Sequence, residues 1–329
     1  MSNIFHTVLL LALPASGKSE VRNFMAQMEG KTLEKDFHIG ENLQLDDFPY
    51  VHFMRRIDEE LAALGEARIY YQSNEEPFNN NYDWGTLVQL LNEDYHDLLH
   101  SNRANPASYA EHLFDRIDAA SVKVGNTARL KALPADIRSA IAKKLEGEAK
   151  EIRAFLEDQY TDSLEGKTIV IEAARGGPDG ATLPLMGAYG YQYTLSQFSD
   201  ELLDNAVILY IWVTPEESRR KNNERANPDD PGSNLFHGVP MAVMLGDYGT
   251  DDMQYLREHS EKENTVTVTR DGKTWHLPIG VFDNRVDKTS FLRADKADWD
   301  AERVADVTAA IREATDTMWS NYTPGAFHM

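Results

Sequence analysis

At 329 residues, with 42% hydrophobic and 10% aromatic side chains, the chain is long enough for one large domain with insertions or for two modest ones. Its 54 acidic against 33 basic residues give a formal net charge of −21, which argues against nucleic acid or an anionic membrane surface as partner. There is no cysteine, which excludes disulfides, thiolate zinc sites and cysteine nucleophiles, and no apolar run approaches the ~20 residues of a membrane span. A cytoplasmic location is the expectation.

The first element is a β-branched and Leu-rich run from Thr7 to Leu13, suited to a buried parallel strand. No Lys or Arg precedes it and Lys18 follows it closely, which disfavours a secretion signal. The stretch "ALPASGKS", Ala12 to Ser19, fits an eight-residue phosphate-loop pattern with Ala where the first Gly usually stands. In such a loop the backbone amides around Ala15, Ser16 and Gly17 face a phosphate chain, helped by the dipole of the helix that follows. Lys18 neutralises the outer phosphates and Ser19 offers a hydroxyl to Mg²⁺. Val21, Phe24, Met25 and Met28 then recur at helical spacing, so strand, loop and helix come in the required order.

A weaker strand is expected to end in "LQLDDF", residues 43 to 48, followed by a helix. Asp46 and Asp47 could accept the proton of an acceptor hydroxyl, hold Mg²⁺, or cap that helix. From 79 to 165 amphipathic helical patterns predict a helical insertion between core segments 1–78 and 166–214. Inside it, His96 and His100 lie four apart, the spacing of a zinc-metalloprotease helix, although Asp97 stands where such helices carry Glu. A partly solvated helix face is the competing reading. Tyr82, Trp84, Tyr189 and Tyr191 are aromatic candidates for lining a pocket.

Thr168 to Glu172 reads as a buried strand ending in a charge. Glu172 is a candidate metal carboxylate, and Arg175, beside Gly176 and Gly177, could reach an acceptor; alternatively the two charges simply pair with each other. Val207 to Val213 is the next strand, followed by a basic helix carrying Arg219, Arg220, Lys221 and Arg225 within a lid region, 215–264. Such cations could close over a triphosphate, or form a solvated face. The last segment, 265–329, predicts a hairpin around Asp271-Gly272, a strand from Ile279 to Phe282 and a closing helix. Its "NRVD" places Asn284 and Asp287 where a loop could meet a nucleotide base, and imitates the guanine-reading pattern of GTPases with Arg for Lys.

Together, "ALPASGKS", "DDF", a strand ending in a carboxylate, the Arg-rich "SRRKNNER" and the loop after the last strand resemble the P-loop kinase superfamily, particularly nucleoside and nucleotide kinase-like enzymes. The resemblance covers about half the chain and leaves the helical insertion and the long lid without a counterpart. It implies an α/β fold, a parallel P-loop NTPase sheet flanked by helices. The implied activity is phosphoryl transfer from ATP with Mg²⁺ to a small acceptor, with an acceptor-activating role for Asp46 or Asp47. The competing expectation is a nucleotide-binding NTPase or GTP-dependent switch that contacts a protein and has no small acceptor.

Overall fold

The computed structural model describes residues 3–28, 30–225 and 238–323, and of Arg225 only the backbone. The apolar runs become strands joined by helices: β1 (Thr7–Leu11), α1 (Lys18–Ala26), α2 (Gly30–Phe37), β2 (Glu41–Asp46), α3 (Phe48–Ala63), α4 (Asp83–His100), α5 (Tyr109–Lys123), α6 (Ala135–Asp158), β3 (Lys167–Ala173), α7 (Gly190–Gln197), α8 (Asp200–Leu203), β4 (Ala206–Trp212), α9 (Pro215–Arg225), α10 (Met241–Gly246), α11 (Met253–Glu258), β5 (Thr265–Arg270), β6 (Lys273–Asp283) and α12 (Ala301–Asn321). The fold is α/β: one six-stranded sheet in the order β2-β3-β1-β4-β6-β5, parallel except for β5.

The first strand stops two residues short of the expected Leu13, whose side chain leaves the sheet for the core beneath α3 and α4. The expected hairpin forms, with Asp271 and Gly272 both at positive φ, as a tight turn between twisted strands requires. β6 is far longer than the Ile279 to Phe282 expected, because the second hairpin strand runs straight on into the parallel strand.

Alternate residues of the strands serve two cores. One face carries Leu9, Leu11, Leu45, Ile171 and Ile208 against α4 and α7. The other carries Val8, Leu10, Val170 and Leu209 against α1, α2 and α12. Burial on both faces is why these strands read as continuous apolar runs rather than alternating ones. The helices between β2 and β3 build a third core of their own, around Phe53, Ile57, Leu113, Phe114 and Leu145. Buried polar residues fix this region: Arg116 pairs with Asp94 at 2.6 Å, Asp94 accepts from Tyr50 at 2.5 Å, and Asp58 accepts the amides of Ile69, Tyr70 and Tyr71.

Candidate active site

Parallel pairing brings several strand ends to one edge of the sheet. Leu11 lies level with Ala173 on one side and Tyr210 on the other, and Asp46 lies level with Glu172. The segment Ala12 to Gly17 leaves β1 at this edge, curled by positive φ at Ala15 (53°) and Gly17 (102°). Among the described residues, no protein group accepts a hydrogen bond from the amides of Ala15 through Glu20. Ala15, Ser16 and Gly17 are buried, and the Ser16 hydroxyl is buried without a partner. Buried donors of this kind are costly unless something accepts from them.

Neighbouring segments hold the loop in this shape. Asn284 donates from Nδ2 to the Ser16 carbonyl at 2.7 Å and to Thr289 Oγ1 at 3.0 Å, and accepts the Lys288 amide at 2.7 Å. Ser218 on α9 donates to the Pro14 carbonyl at 2.7 Å. Gly17 is required twice over: its φ is left-handed, and a Cβ there would lie 2.4 Å from Thr289 Oγ1.

Lys18 is half-buried, with Nζ 3.4 Å from the carbonyls of Ala12 and Ala173, so its charge stands between the ends of β1 and β3. Burial lowers its pKa, opposed by the carboxylates of Glu172, Asp46 and Asp47. Asp46 accepts the Phe48 amide at 2.9 Å, and among the described residues no cation is ion-paired with it. Burial, together with the negative charges of Glu172 and Asp47, pushes its pKa up to about 7.

The other acidic groups are paired across elements, and the structure separates the readings left open above. Asp47 is at the N-cap of α3 but makes no side-chain cap bond; its Oδ2 lies 2.5 Å from Arg175 Nη2. Glu172 pairs with Arg22 of α1 at 2.5 Å. Glu172 and Arg175 therefore do not pair with each other. The backbone at Gly176 and Gly177 is approached by the chain itself. A Cβ at 176 would lie 2.6 Å from the Thr250 carbonyl, and Gly177 and Thr250 exchange both backbone hydrogen bonds.

That approach brings in residues the sequence did not single out. Asp251 accepts the Tyr210 hydroxyl at 2.9 Å and the Met253 amide at 2.7 Å, and the Lys18 charge acts on it. Asp252 accepts the Tyr191 and Gln192 amides at the start of α7. Burial raises Asp251 and Asp247 alike to about 7. Adjacent acidic residues in "YGTDDM" were a visible signal, masked by a polar segment without periodicity.

The basic helix divides into unlike parts. Arg219 pairs with Asp179 at 3.1 Å, and Arg220 with Glu217 at 2.7 Å and with Glu224; the Arg220 side chain is about half exposed, whereas those of Arg219 and Glu217 are mostly buried. Lys221 is fully buried and pairs with Asp287 at 2.8 Å. Burial alone would raise Asp287, but Lys221 and the Thr289 amide hold it well below the ordinary carboxylate range. The Arg225 side chain and residues 226–237 of the expected lid lie outside the described residues.

Ser19 is half-buried at the start of α1. Trp84 lies under the Arg175 guanidinium, 4.9 Å from ring centroid to Cζ. The Tyr191 hydroxyl accepts the Arg175 amide at 3.3 Å from a wholly buried position, Tyr189 is partly buried against the insertion core, and Tyr82 is exposed. A surface groove of about 490 Å³ lies elsewhere, beside α7 and β5, lined by Leu185, Met186, Tyr193 and Val268 among others. No helix among the described residues is long and apolar enough to cross a membrane. No protein-family model matches this chain, and no curated protein sequence does.

Proposed function

We propose that the chain is an ATP- and Mg²⁺-dependent phosphotransferase of the P-loop kinase type, acting on a small acceptor bearing a hydroxyl or phosphate, a nucleoside or nucleotide being the leading class. One observation carries the reading. A curled loop with unengaged amides, from Ala15 to Glu20, carries a lysine, Lys18, on which the charges of Glu172, Asp46 and Asp47 act from the carboxyl ends of β3 and β2. Amides at the start of a helix supply the partial positive charge that a phosphate chain needs.

The donor set fits Mg²⁺, which prefers hard oxygen ligands: Ser19 and Glu172 would hold it, Glu172 exchanging Arg22 for the ion, and the gathering of Asp46, Asp47 and Glu172 favours a nearby cation. When bound, the ion neutralises phosphate charge. Lys18 and the loop amides bind and orient the nucleotide's phosphates, with the dipole of α1 behind them. Asp46, which has no ion-pair partner among the described residues, takes the proton of the acceptor hydroxyl, whereas Asp47 is held by Arg175 and positions the acceptor beside it. Arg219 and Arg220 would reach the transferring charge by giving up their ion pairs with Asp179, Glu217 and Glu224.

The test is acceptor-stimulated ADP release from MgATP, measured over a panel of nucleosides, nucleotides and other small hydroxyl compounds with wild type and Lys18→Ala. Stimulation by an acceptor in wild type and its loss in the variant support the transferase. A basal hydrolysis that no acceptor increases would favour the NTPase or switch instead.

A further inference from the structure

We propose a second ligand site, separate from the one above: a divalent first-row transition-metal ion of the zinc or nickel type, bound by His96, His100 and Glu201. The sequence gives two imidazoles one turn apart on α4, and the fold supplies a third donor from α8. Glu201 Oε2 lies 3.2 Å from His96 Nδ1 and Glu201 Oε1 lies 3.7 Å from His100 Nε2. One ligand atom from each residue falls within 4.8 Å of the other two.

These separations come near to those a metal would impose. Bonds of about 2.0–2.2 Å at a tetrahedral angle hold neighbouring donor atoms about 3.3–3.6 Å apart. The two nitrogen–oxygen distances bracket that value, one to each carboxylate oxygen, and with one donor atom per residue the three lie within 4.8 Å, so the side chains draw together when an ion binds. Two imidazoles and a carboxylate suit zinc, nickel or copper and are poor ligands for Mg²⁺ or Ca²⁺, which favour oxygen. All three side chains are roughly half exposed, which leaves further positions for water and an open entry path. The centroids of the two imidazole rings lie 4.3 Å apart. An exposed His–Glu ion pair explains one contact of this set, but not three donors converging from two elements.

The hydrolytic motif that the spacing imitates is not present. Asp97, in the place of the catalytic Glu, is held by Arg153 at 3.0 Å and by Asn102 at 3.3 Å. The site also stands away from the proposed nucleotide. α8 leads into the amino end of β4, a strand of seven residues. The loop after β1 lies at the opposite, carboxyl end, and at about 3.3 Å per residue the separation is of order 20 Å. Metal here would staple α4 of the helical insertion to the segment entering β4 and stabilise the fold by mass action.

The experiment is calorimetric titration of ZnCl₂ into tag-free, chelator-treated protein, paired with thermal unfolding, for wild type, His96→Ala, His100→Ala and Glu201→Gln. One saturable site per chain is expected, with a rise in Tm. Either His→Ala change should weaken binding at least as much as the roughly 10–100-fold that loss of a supporting group costs, and abolish the Tm rise. MgCl₂ in place of ZnCl₂ should give no response. The metal-free Tm of each variant, expected to match wild type at such exposed positions, checks the fold. Absence of a saturable site in wild type, or His variants that bind like wild type, overturns the proposal. A Glu201→Gln variant with wild-type affinity overturns the three-donor arrangement.

Discussion

Arg175 and Asp47 show how much of this site is settled by single buried charges. Arg175 is 1% exposed, and its guanidinium rests between the Asp47 carboxylate and the Trp84 ring. Removing one member of such a pair leaves the other charged and buried. Arg175→Met should therefore cost about 3–5 kcal/mol in urea unfolding, and the Asp47→Asn, Arg175→Met double variant should recover a large part of it. Equal losses in the single and double variants would show that the pair is not coupled. Asp46→Asn is the catalytic counterpart: acceptor-dependent turnover should fall ~10²–10⁴-fold while ATP affinity changes little. A loss confined to the Mg²⁺ requirement would make Asp46 a metal ligand instead. The candidates Asp46, Asp47, Glu172 and Arg175 were legible in the sequence because charges at strand ends are conspicuous. Their partners were not. Asp47 to Arg175 and Glu172 to Arg22 are contacts between elements distant in sequence, brought together by strand pairing and by the packing of α1 on the sheet.

At the scale of elements, the loop after β1 is held by groups that read in the sequence as ligand contacts. Asn284 binds the Ser16 carbonyl, and Asp287 binds Lys221 of α9. The sequence located this segment beside the loop but could not tell a side chain facing a ligand from one facing its own backbone. Lys221→Met should cost about 2–3 kcal/mol, less than the 3–5 of a fully buried pair because Asp287 is 24% exposed, and should loosen residues 284 to 290 in hydrogen exchange. Unchanged stability and exchange would mean the pair contributes nothing. A similar argument applies to Gly176. A methyl group there meets backbone atoms at 2.6 and 2.9 Å, from Thr250 and Asp247, so Gly176→Ala should displace the segment 247–252 and raise its amide exchange. Wild-type exchange in that variant would contradict the close approach. The insertion was legible as helices through its periodicity, whereas its attachment through Arg116, Asp94 and Tyr50 depends on tertiary geometry that a periodic pattern does not encode.

For the whole molecule, the acidic composition has a consequence in pH. Asp46, Asp247 and Asp251 are raised to about 7 in the folded protein, so between their ordinary carboxylate range and about pH 7 the native state holds more protons than the unfolded one. Stability must then fall as pH rises through that window and level off above about 7, each such group costing about 1.4 kcal/mol per pH unit crossed. His6 and His112, both lowered by burial, act in the opposite sense, and self-repulsion in a chain of net charge −21 adds to the fall. Thermal unfolding should therefore give a higher Tm at pH 5.5 than at pH 8. Asp251→Asn should reduce the difference, and a Tm that rises from pH 5.5 to 8 would contradict the account.

The central claim is that the loop between β1 and α1 binds the phosphates of a nucleotide, and equilibrium titration of ATP into wild type and Lys18→Ala, with and without Mg²⁺, tests it most directly. The account predicts saturable, Mg²⁺-strengthened binding at one site in wild type. It predicts loss of that binding in a Lys18→Ala protein whose Tm without nucleotide is unchanged. No saturable binding by wild type, or equal binding by the two proteins, would contradict it.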